Sequence, residues 1–177
     1  PTLHHNQEIP SLSDQFKKCS DLVDLPQILP FQSWLKNTYQ YHFEKTQGRK
    51  NVAPQIHNSL SSLFDQEEQL EDKKFDDPNI KSKLTSLYIC GNAKGVWGCP
   101  LIDVKELMTN YLADDLGFDR DSKMIATMVE ENNGGCTIWD LDGNKTRVDE
   151  ETVINGLNDP NNPLRFLLVV DRARSGI

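Results

Sequence analysis

A short apolar segment near the end of the chain constrains the fold more than any other feature. Residues Phe166–Val170 are five consecutive apolar residues with polar residues on both sides. The segment is too short for a helix, and it lacks the alternation of a strand with one exposed face. It therefore predicts a strand buried on both faces, which is typical of the middle of a parallel sheet.

Charged and small residues follow this strand directly. They are Asp171-Arg172-Ala173-Arg174-Ser175-Gly176, and the sequence ends at Ile177. In a parallel α/β sheet, the loops after the carboxyl ends of the strands contact the ligands. Because a fold does not usually stop beside its own functional loop, we expect the sequence to be a fragment of a larger protein.

Charge and cysteine content argue against several classes of protein. The 19 Lys and Arg residues against 27 Asp and Glu give a net charge of -8, so nucleic acid could bind only at a local basic patch. The four cysteines form no C-x-x-C pair, so they predict neither a zinc knuckle nor a disulfide framework. Reduced thiols in a cytoplasmic protein are the expectation. No apolar run reaches the roughly twenty residues of a membrane span, and no signal peptide is present.

The first eighty residues predict a helical segment, as an insertion or a linker. Apolar spacing indicates helices over Leu12–Leu25, Phe31–Lys45 and Ala53–Leu70. The aromatic stripe of the second helix is typical of a core-facing surface, and the alternative is a surface that stacks bases. Pro54 suits the first turn of the third helix.

A charged stretch from residue 65 to residue 78 follows the third predicted helix. Such a run indicates a solvated helix face that continues into a linker. We therefore place a boundary near residues 77–82 and predict two parts, a helical segment at 1–80 and an α/β lobe at 81–177.

Ser86–Cys90 predicts a second buried strand, and a loop rich in glycine follows it. Asn92 and Lys94 are the candidate binding residues of this loop. A phosphate-binding P-loop requires G-x-x-x-x-G-K-[ST], whereas Lys94 precedes Gly95 and no hydroxyl residue follows. The pattern favours a loop that folds over a ligand or an ordinary surface loop.

Apolar residues from Val104 to Leu112 recur at helical spacing. They predict a helix over residues 103–116, with Asp103 as its cap and Gly117 as its end. Lys123–Val129 predicts a third buried strand.

The segment Cys136–Val148 predicts a β-hairpin with its turn near Gly143. The alternative is a calcium loop, because the first, third, fifth and twelfth places of an EF-hand are filled by Asp140, Asp142, Asn144 and Glu151. Lys145 stands where that loop needs glycine, which favours the hairpin. Asp149 is then expected to cap a short helix whose apolar side is formed by Val153, Ile154 and Leu157.

The alternation of strands and helices predicts an α/β fold but no activity. The sequence lacks a nucleophile elbow, an H-E-x-x-H zinc motif and a Ser/His/Asp signature. We therefore predict no catalytic residue and no metal site in this chain.

The run from Ser86 to Ile177 resembles the second RecA-like lobe of superfamily-two helicases and translocases of the DEAD/DEAH type. The likeness is carried by the opening strand at 86–92, the helix at 103–116 and the closing stretch from Leu164 to Ile177. It is nearest to the ATPase subunits of restriction and phage-defence systems. It implies a parallel three-layer, RecA-like sheet behind the helical N-terminal segment.

The resemblance also implies a site. In the family, the loop after the last strand lies between two lobes and couples nucleic acid to bound nucleotide. Carried over by position, the coupling residues are Asp171, Arg172, Arg174, Ser175 and Gly176. The residue-based alternative is that Arg172 and Arg174 form only surface ion pairs.

The family's P-loop and acidic magnesium box belong to the first lobe and are absent from this sequence. The resemblance thus implies ATP and Mg²⁺ as cofactors of the complete protein, and no cofactor and no ATP hydrolysis for this fragment alone. The implied partner is nucleic acid, with DNA favoured over RNA. A rival interpretation is a non-enzymatic interaction module with an acidic surface, in which residues 12–70 bind a protein partner.

Overall fold

The computed structural model describes residues 39–43, 49–91, 100–129 and 135–170. Their elements in chain order are β1 (Tyr39–Phe43), α1 (Arg49–Lys73), β2 (Ser86–Cys90), α2 (Leu101–Asn110), β3 (Ile125–Met128), β4 (Cys136–Trp139), β5 (Lys145–Val148), α3 (Glu150–Asn158) and β6 (Phe166–Val170). A π-helical turn at Tyr111–Asp115 continues α2. The predicted α/β class is confirmed.

The strands form one mixed sheet in the order β1-β2-β6-β3-β4-β5. The first four in that order are parallel, and β4 and β5 are antiparallel additions at one side. Phe166 of β6 has Ser86 as its Cα partner on one side and Ile125 on the other. The apolar run therefore occupies the interior of the sheet, and the three predicted buried strands lie side by side and parallel.

The prediction of a parallel sheet holds for only part of the sheet. The reason is the hairpin, because β4 pairs with β3 in the antiparallel sense and β5 pairs with β4 in the same way. The connections from β3 to β4 and from β4 to β5 are short, and a short connection can join only antiparallel neighbouring strands.

Helices cover both faces of the sheet and give three layers. On the first face, α1 and α2 pack on strand residues that include Tyr88, Ile125 and Phe166. On the second face, α3 packs through Val153 and Leu157 on a cluster whose strand members are Leu87, Ile89, Ala126, Cys136, Leu167 and Val169. Alternate residues of β6 thus supply both cores, as expected for a strand buried on each side.

The predicted helix over residues 31–45 is wrong at residues 39–43, which form β1. β1 pairs in parallel with β2, and Tyr39 and Tyr41 are buried. Aromatic residues at every second position suit a strand, and the Tyr41 ring stacks on Tyr88 of β2 with centroids 5.0 Å apart. Tyr39 and Phe43 are also four residues apart, which fits a helical stripe and explains the error.

α1 confirms the third predicted helix and extends it at both ends. Pro54 is the sixth helical residue and not part of the first turn. Val52, Ile56 and Leu60 are fully buried in the same cluster as Tyr88 and Phe166. Residues on the two sides of the boundary predicted near 77–82 therefore share one core.

α2 begins at Leu101, before the predicted start at Asp103. Pro100 is the N-cap residue, and its carbonyl accepts hydrogen bonds from the N–H groups of Asp103 and Val104. Gly117 ends the helical segment as predicted, with φ of 77°, and Phe118 N–H donates to the carbonyl of Leu112.

The predicted hairpin and its cap are confirmed. Gly143 lies in the turn between β4 and β5 with φ of 93°, a conformation that favours glycine. Asp149 caps α3 by accepting a hydrogen bond from Thr152 N–H at 2.8 Å. Hydrogen bonds from the hydroxyl and backbone N–H of Thr152 lower the pKa of Asp149.

Candidate functional site

The carboxyl ends of the four parallel strands lie along one edge of the sheet, which we call the carboxyl edge. Cys90 at the end of β2 has Phe43 of β1 and Val170 of β6 as Cα partners. Met128 at the end of β3 is the partner of Val169. The chain therefore leaves β2 and β6 at adjacent points of this edge, where parallel α/β sheets bind ligands.

The predicted coupling and loop residues follow these strand ends in the sequence but lie outside the described residues. They are Asn92, Lys94, Asp171, Arg172, Arg174, Ser175 and Gly176. The described part of the site consists of the strand ends and of the first face of the sheet beside them.

Trp139 shares the first face of the sheet with three cationic side chains. We call Lys105, Lys145 and Arg147 together with Trp139 the basic cluster. Lys105 Nζ lies 4.1 Å from the centroid of the Trp139 ring, and Lys145 Nζ lies 5.5 Å from it. Trp139 Nε1 donates a hydrogen bond of 2.9 Å to Thr127 Oγ1 of β3, which holds the indole against the sheet.

Lys105 is the buried member of the basic cluster, with 9% of its surface exposed. Within the described part of the chain, no carboxylate or carbonyl accepts a hydrogen bond from its ammonium group, whose contact is the indole face. Burial lowers the pKa of Lys105, and the negative charge of Glu106 offsets part of that change. A buried ammonium without an anion is a costly arrangement that cation–π attraction only partly offsets.

Arg147 of β5 lies over the residue that precedes β4. A Cβ added at Gly135 would lie 3.1 Å from Arg147 Cζ, so the guanidinium lies directly over the glycine. Gly135 immediately precedes Cys136, the partner of Met128 at the end of β3. The Arg147 charge is therefore placed beside the carboxyl edge.

The opposite edge of the sheet holds a network of hydrogen bonds. Arg165, just before β6, donates to Glu67 of α1 through Nε at 2.8 Å and Nη2 at 3.1 Å. Glu67 Oε2 also accepts a hydrogen bond from Leu84 N–H at 2.8 Å. Lys83 Nζ donates to the carbonyls of Gly156 and Asp159, each at 2.9 Å. These bonds join α1 and the end of α3 to the amino ends of β2 and β6.

Lys83 has a strongly perturbed titration. Desolvation by burial, followed by the positive charge of Arg165, lowers the pKa of Lys83 to about 8. The negative charges of Asp159 and Glu67 oppose this shift.

The residues of the alternative calcium loop organise the hairpin turn. Asp140 Oδ1 accepts hydrogen bonds from the N–H groups of Asp142 and Asn144, and Oδ2 accepts one from Asn144 Nδ2. Across the ranges that the structure describes, no group of three or more His, Cys, Asp or Glu residues could hold a metal ion.

Cys136 and Tyr88 are buried, and burial disfavours their ionised forms. Desolvation raises the pKa of the Cys136 thiol to about 12, and the charges of Glu150 and Asp149 act in the same direction. Burial likewise raises the pKa of Tyr88, whose hydroxyl pairs with Ser59 Oγ at 2.7 Å. Both residues are therefore structural, because a reactive thiol or phenol requires a depressed pKa.

No helix within the described ranges combines the length and the apolar character needed to cross a membrane. Comparison of the chain with protein-family models, with curated proteins and with solved structures found no match.

The basic cluster does not follow from the sequence pattern, although the pattern contains one signal for Lys105. Lys105 lies on the buried stripe of α2, which otherwise consists of Leu101, Val104 and Met108. A lysine on an apolar helix stripe indicates either a structural contact or a bound anion. Its contact with Trp139 depends on the placement of the hairpin beside α2, which the sequence pattern does not reveal.

Proposed function

We propose that the chain is the second, RecA-like lobe of an ATP-dependent nucleic-acid helicase or translocase of the kind found in restriction and defence systems. In this proposal, the chain binds nucleic acid at the carboxyl edge, and a first lobe supplies the P-loop and the acidic residues that hold ATP and Mg²⁺. The chain alone does not hydrolyse ATP.

One observation carries the proposal, namely the position of β6 between β2 and β3 in parallel pairing. Because Cys90 and Val170 are Cα partners, the chain leaves β2 and β6 at adjacent points of the edge where parallel sheets bind ligands. The polar composition of the segments that follow β2 and β6 suits contacts to phosphates.

In the proposed mechanism, Arg172 and Arg174 pair with the nucleic-acid backbone, because a guanidinium matches the geometry of a phosphate. Ser175 and Gly176 allow close approach of the backbone, and Asp171 orients the loop. The net charge of -8 limits binding to this local region and makes it sensitive to salt.

The test is fluorescence anisotropy of the whole chain with labelled DNA and RNA, each single-stranded and duplex, at low salt. The double variant Arg172→Ala/Arg174→Ala removes two proposed phosphate contacts and should weaken binding by about tenfold or more. It should also reduce the salt slope by about 2.

A matched control removes the same charge elsewhere. Lys81 and Lys123 are exposed and precede the amino ends of β2 and β3. The variant Lys81→Ala/Lys123→Ala should bind nearly as the unmodified chain does. Equal weakening by both variants would mean that net charge and not a site governs binding, and no binding to any of the four nucleic acids would reject the proposal.

One feature favours the rival interaction module. The second half of α1 exposes acidic residues, and Phe75 just after it is 93% exposed. If the chain binds no nucleic acid, this surface is the next to test, with Phe75→Ser as the variant in a binding screen.

A further inference from the structure

The buried ammonium of Lys105 has no described anionic partner, which is unusual for a lysine that is 9% exposed. Lysines that lie this deep are normally paired with an acid. The carboxylate of Glu106 acts on the Lys105 ammonium through its charge, but the two form no described ion pair.

Two other cationic side chains lie on the same face of the sheet. Lys145 Nζ lies 5.5 Å from the centroid of the indole that Lys105 contacts. Arg147, two residues further along β5, lies over Gly135 beside the end of β3.

The register of β4 and β5 places the side chains of the basic cluster on one surface. Trp139 and Thr137 of β4 have Lys145 and Arg147 of β5 as their Cα partners. Partners in an antiparallel pair project to the same face, so all four side chains lie on the face that Lys105 covers from α2. Lys145 and Arg147 are exposed, so a ligand can reach the cluster from solvent.

We propose that the basic cluster is an anion site for a phosphate group, in which Lys105 supplies the buried charge and Lys145 and Arg147 flank the ligand. A phosphate with two negative charges would pair with the Lys105 ammonium, which has no anionic partner among the residues that the structure describes. The Thr127 hydroxyl is already engaged with Trp139, so the indole stays in place while the phosphate binds. This proposal does not depend on the motor function, because the cluster lies on α2 and the hairpin and includes none of the segment Asp171–Gly176.

The phosphate could come from a nucleotide or from a nucleic-acid backbone, and the probes must separate these sources. Trp139 is the reporter, and the full chain with Trp34→Phe and Trp97→Phe contains no other tryptophan. Its fluorescence is followed with inorganic phosphate, pyrophosphate, ATP and a single-stranded oligonucleotide, each against sodium chloride of equal ionic strength.

We expect a saturable change in Trp139 fluorescence with pyrophosphate that sodium chloride does not reproduce. Competition by ATP but not by the oligonucleotide would identify a nucleotide phosphate as the ligand. Competition by the oligonucleotide would identify the backbone of nucleic acid. Each of these results supports the site.

The decisive variant is Lys105→Met, which removes the ammonium and keeps an unbranched side chain in the same space. It should weaken pyrophosphate binding by about tenfold or more, since a hydrogen bond to a charged group is lost. Lys105→Arg should retain part of the affinity. Lys123→Met, at an exposed position before β3, should bind as the unmodified chain does.

Folding is checked separately by urea unfolding. Lys105→Met should be at least as stable as the unmodified chain, because it removes a desolvated charge. Unchanged affinity in a folded Lys105→Met variant would overturn the proposal. So would the absence of any fluorescence response to all four probes at millimolar concentration.

Discussion

The ion pair between Glu67 and Arg165 provides the sharpest test of how the sheet is held together. Glu67 accepts two hydrogen bonds from the Arg165 guanidinium and one from Leu84 N–H. The side chains of Arg165 and Glu67 are 20% and 14% exposed, so water screens the pair only weakly. Glu67→Ala would leave a largely buried guanidinium near the positive charge of Lys83 and would leave Leu84 N–H without its acceptor.

The expected loss follows from these contacts. Removing one partner of a buried ion pair costs about 3–5 kcal/mol, and the residual exposure places this pair near the lower limit. The unpaired N–H of Leu84 adds about 1 kcal/mol. We therefore expect Glu67→Ala to lower the free energy of unfolding by about 3–4 kcal/mol, and Glu67→Gln by about half as much because its amide oxygen still accepts one bond.

The assay is equilibrium urea unfolding followed by circular dichroism, with the double-mutant cycle completed by Arg165→Met. The coupling energy between the two positions should be about 2 kcal/mol. Glu68→Ala is the control, since Glu68 is exposed on the same helix and should change stability by less than about 0.5 kcal/mol. A Glu67→Ala variant as stable as the Glu68→Ala variant would refute the role assigned to the pair.

Four further predictions test other parts of the structure. The pKa of Lys83 in the folded state is about 8, which lies below its pKa in the unfolded state. Between these two pKa values the folded state binds fewer protons than the unfolded state, so the free energy of unfolding should rise with pH above about 8. Urea midpoints measured from pH 7 to pH 10 should show this rise, and Lys83→Met should abolish it. Gly156→Ala places a Cβ 3.1 Å from Leu164 Cδ2 and 3.2 Å from Asn162 Nδ2. We therefore expect the free energy of unfolding to fall by about 1 kcal/mol despite the better helix propensity of alanine. A raised melting temperature would contradict this expectation. Tyr88→Phe removes the buried hydrogen bond to Ser59 and should cost about 1 kcal/mol in the same assay, whereas an unchanged midpoint would show that the bond contributes nothing. Burial raises the pKa of Asp140, but the hydrogen bonds from Asn144, Asp142 and Gly143 outweigh burial and lower that pKa below 3.8. The ionised carboxylate therefore stabilises the folded state, and this stabilisation should be lost as the pH falls through the pKa of Asp140 in the folded state. The stability of Asp140→Asn should be less sensitive to acid.

The parts of the fold that the sequence predicts correctly are those where local pattern and tertiary role agree. The unbroken apolar run of β6 requires burial on both faces, and β6 is an interior strand of the sheet. The hairpin and the cap at Asp149 depend on residues only a few positions apart, so they too follow from local chemistry. The sequence pattern predicts a helix at β1 because Tyr39 and Phe43, four residues apart, fit a helical stripe, and only pairing with β2 decides between helix and strand.

The functional surface is less predictable for a physical reason. The contact of Lys105 with Trp139 and the pair of Glu67 with Arg165 join residues far apart in the chain, the latter by 98 positions. Such contacts depend on the order of strands and on which face each helix covers. The sequence pattern predicts three buried strands in a parallel sheet but not the position of α2 beside the hairpin.

Binding of nucleic acid at the carboxyl edge of the parallel strands can be tested by a nitrogen-15 NMR titration of the full chain with a short single-stranded DNA. If nucleic acid binds at this edge, the perturbed backbone amides should include Gly91, Val129 and Val170, next to the carboxyl ends of β2, β3 and β6. Perturbations centred instead on Leu84, Arg165 and Asp159 at the opposite edge, or an unchanged spectrum, would contradict binding at the carboxyl edge.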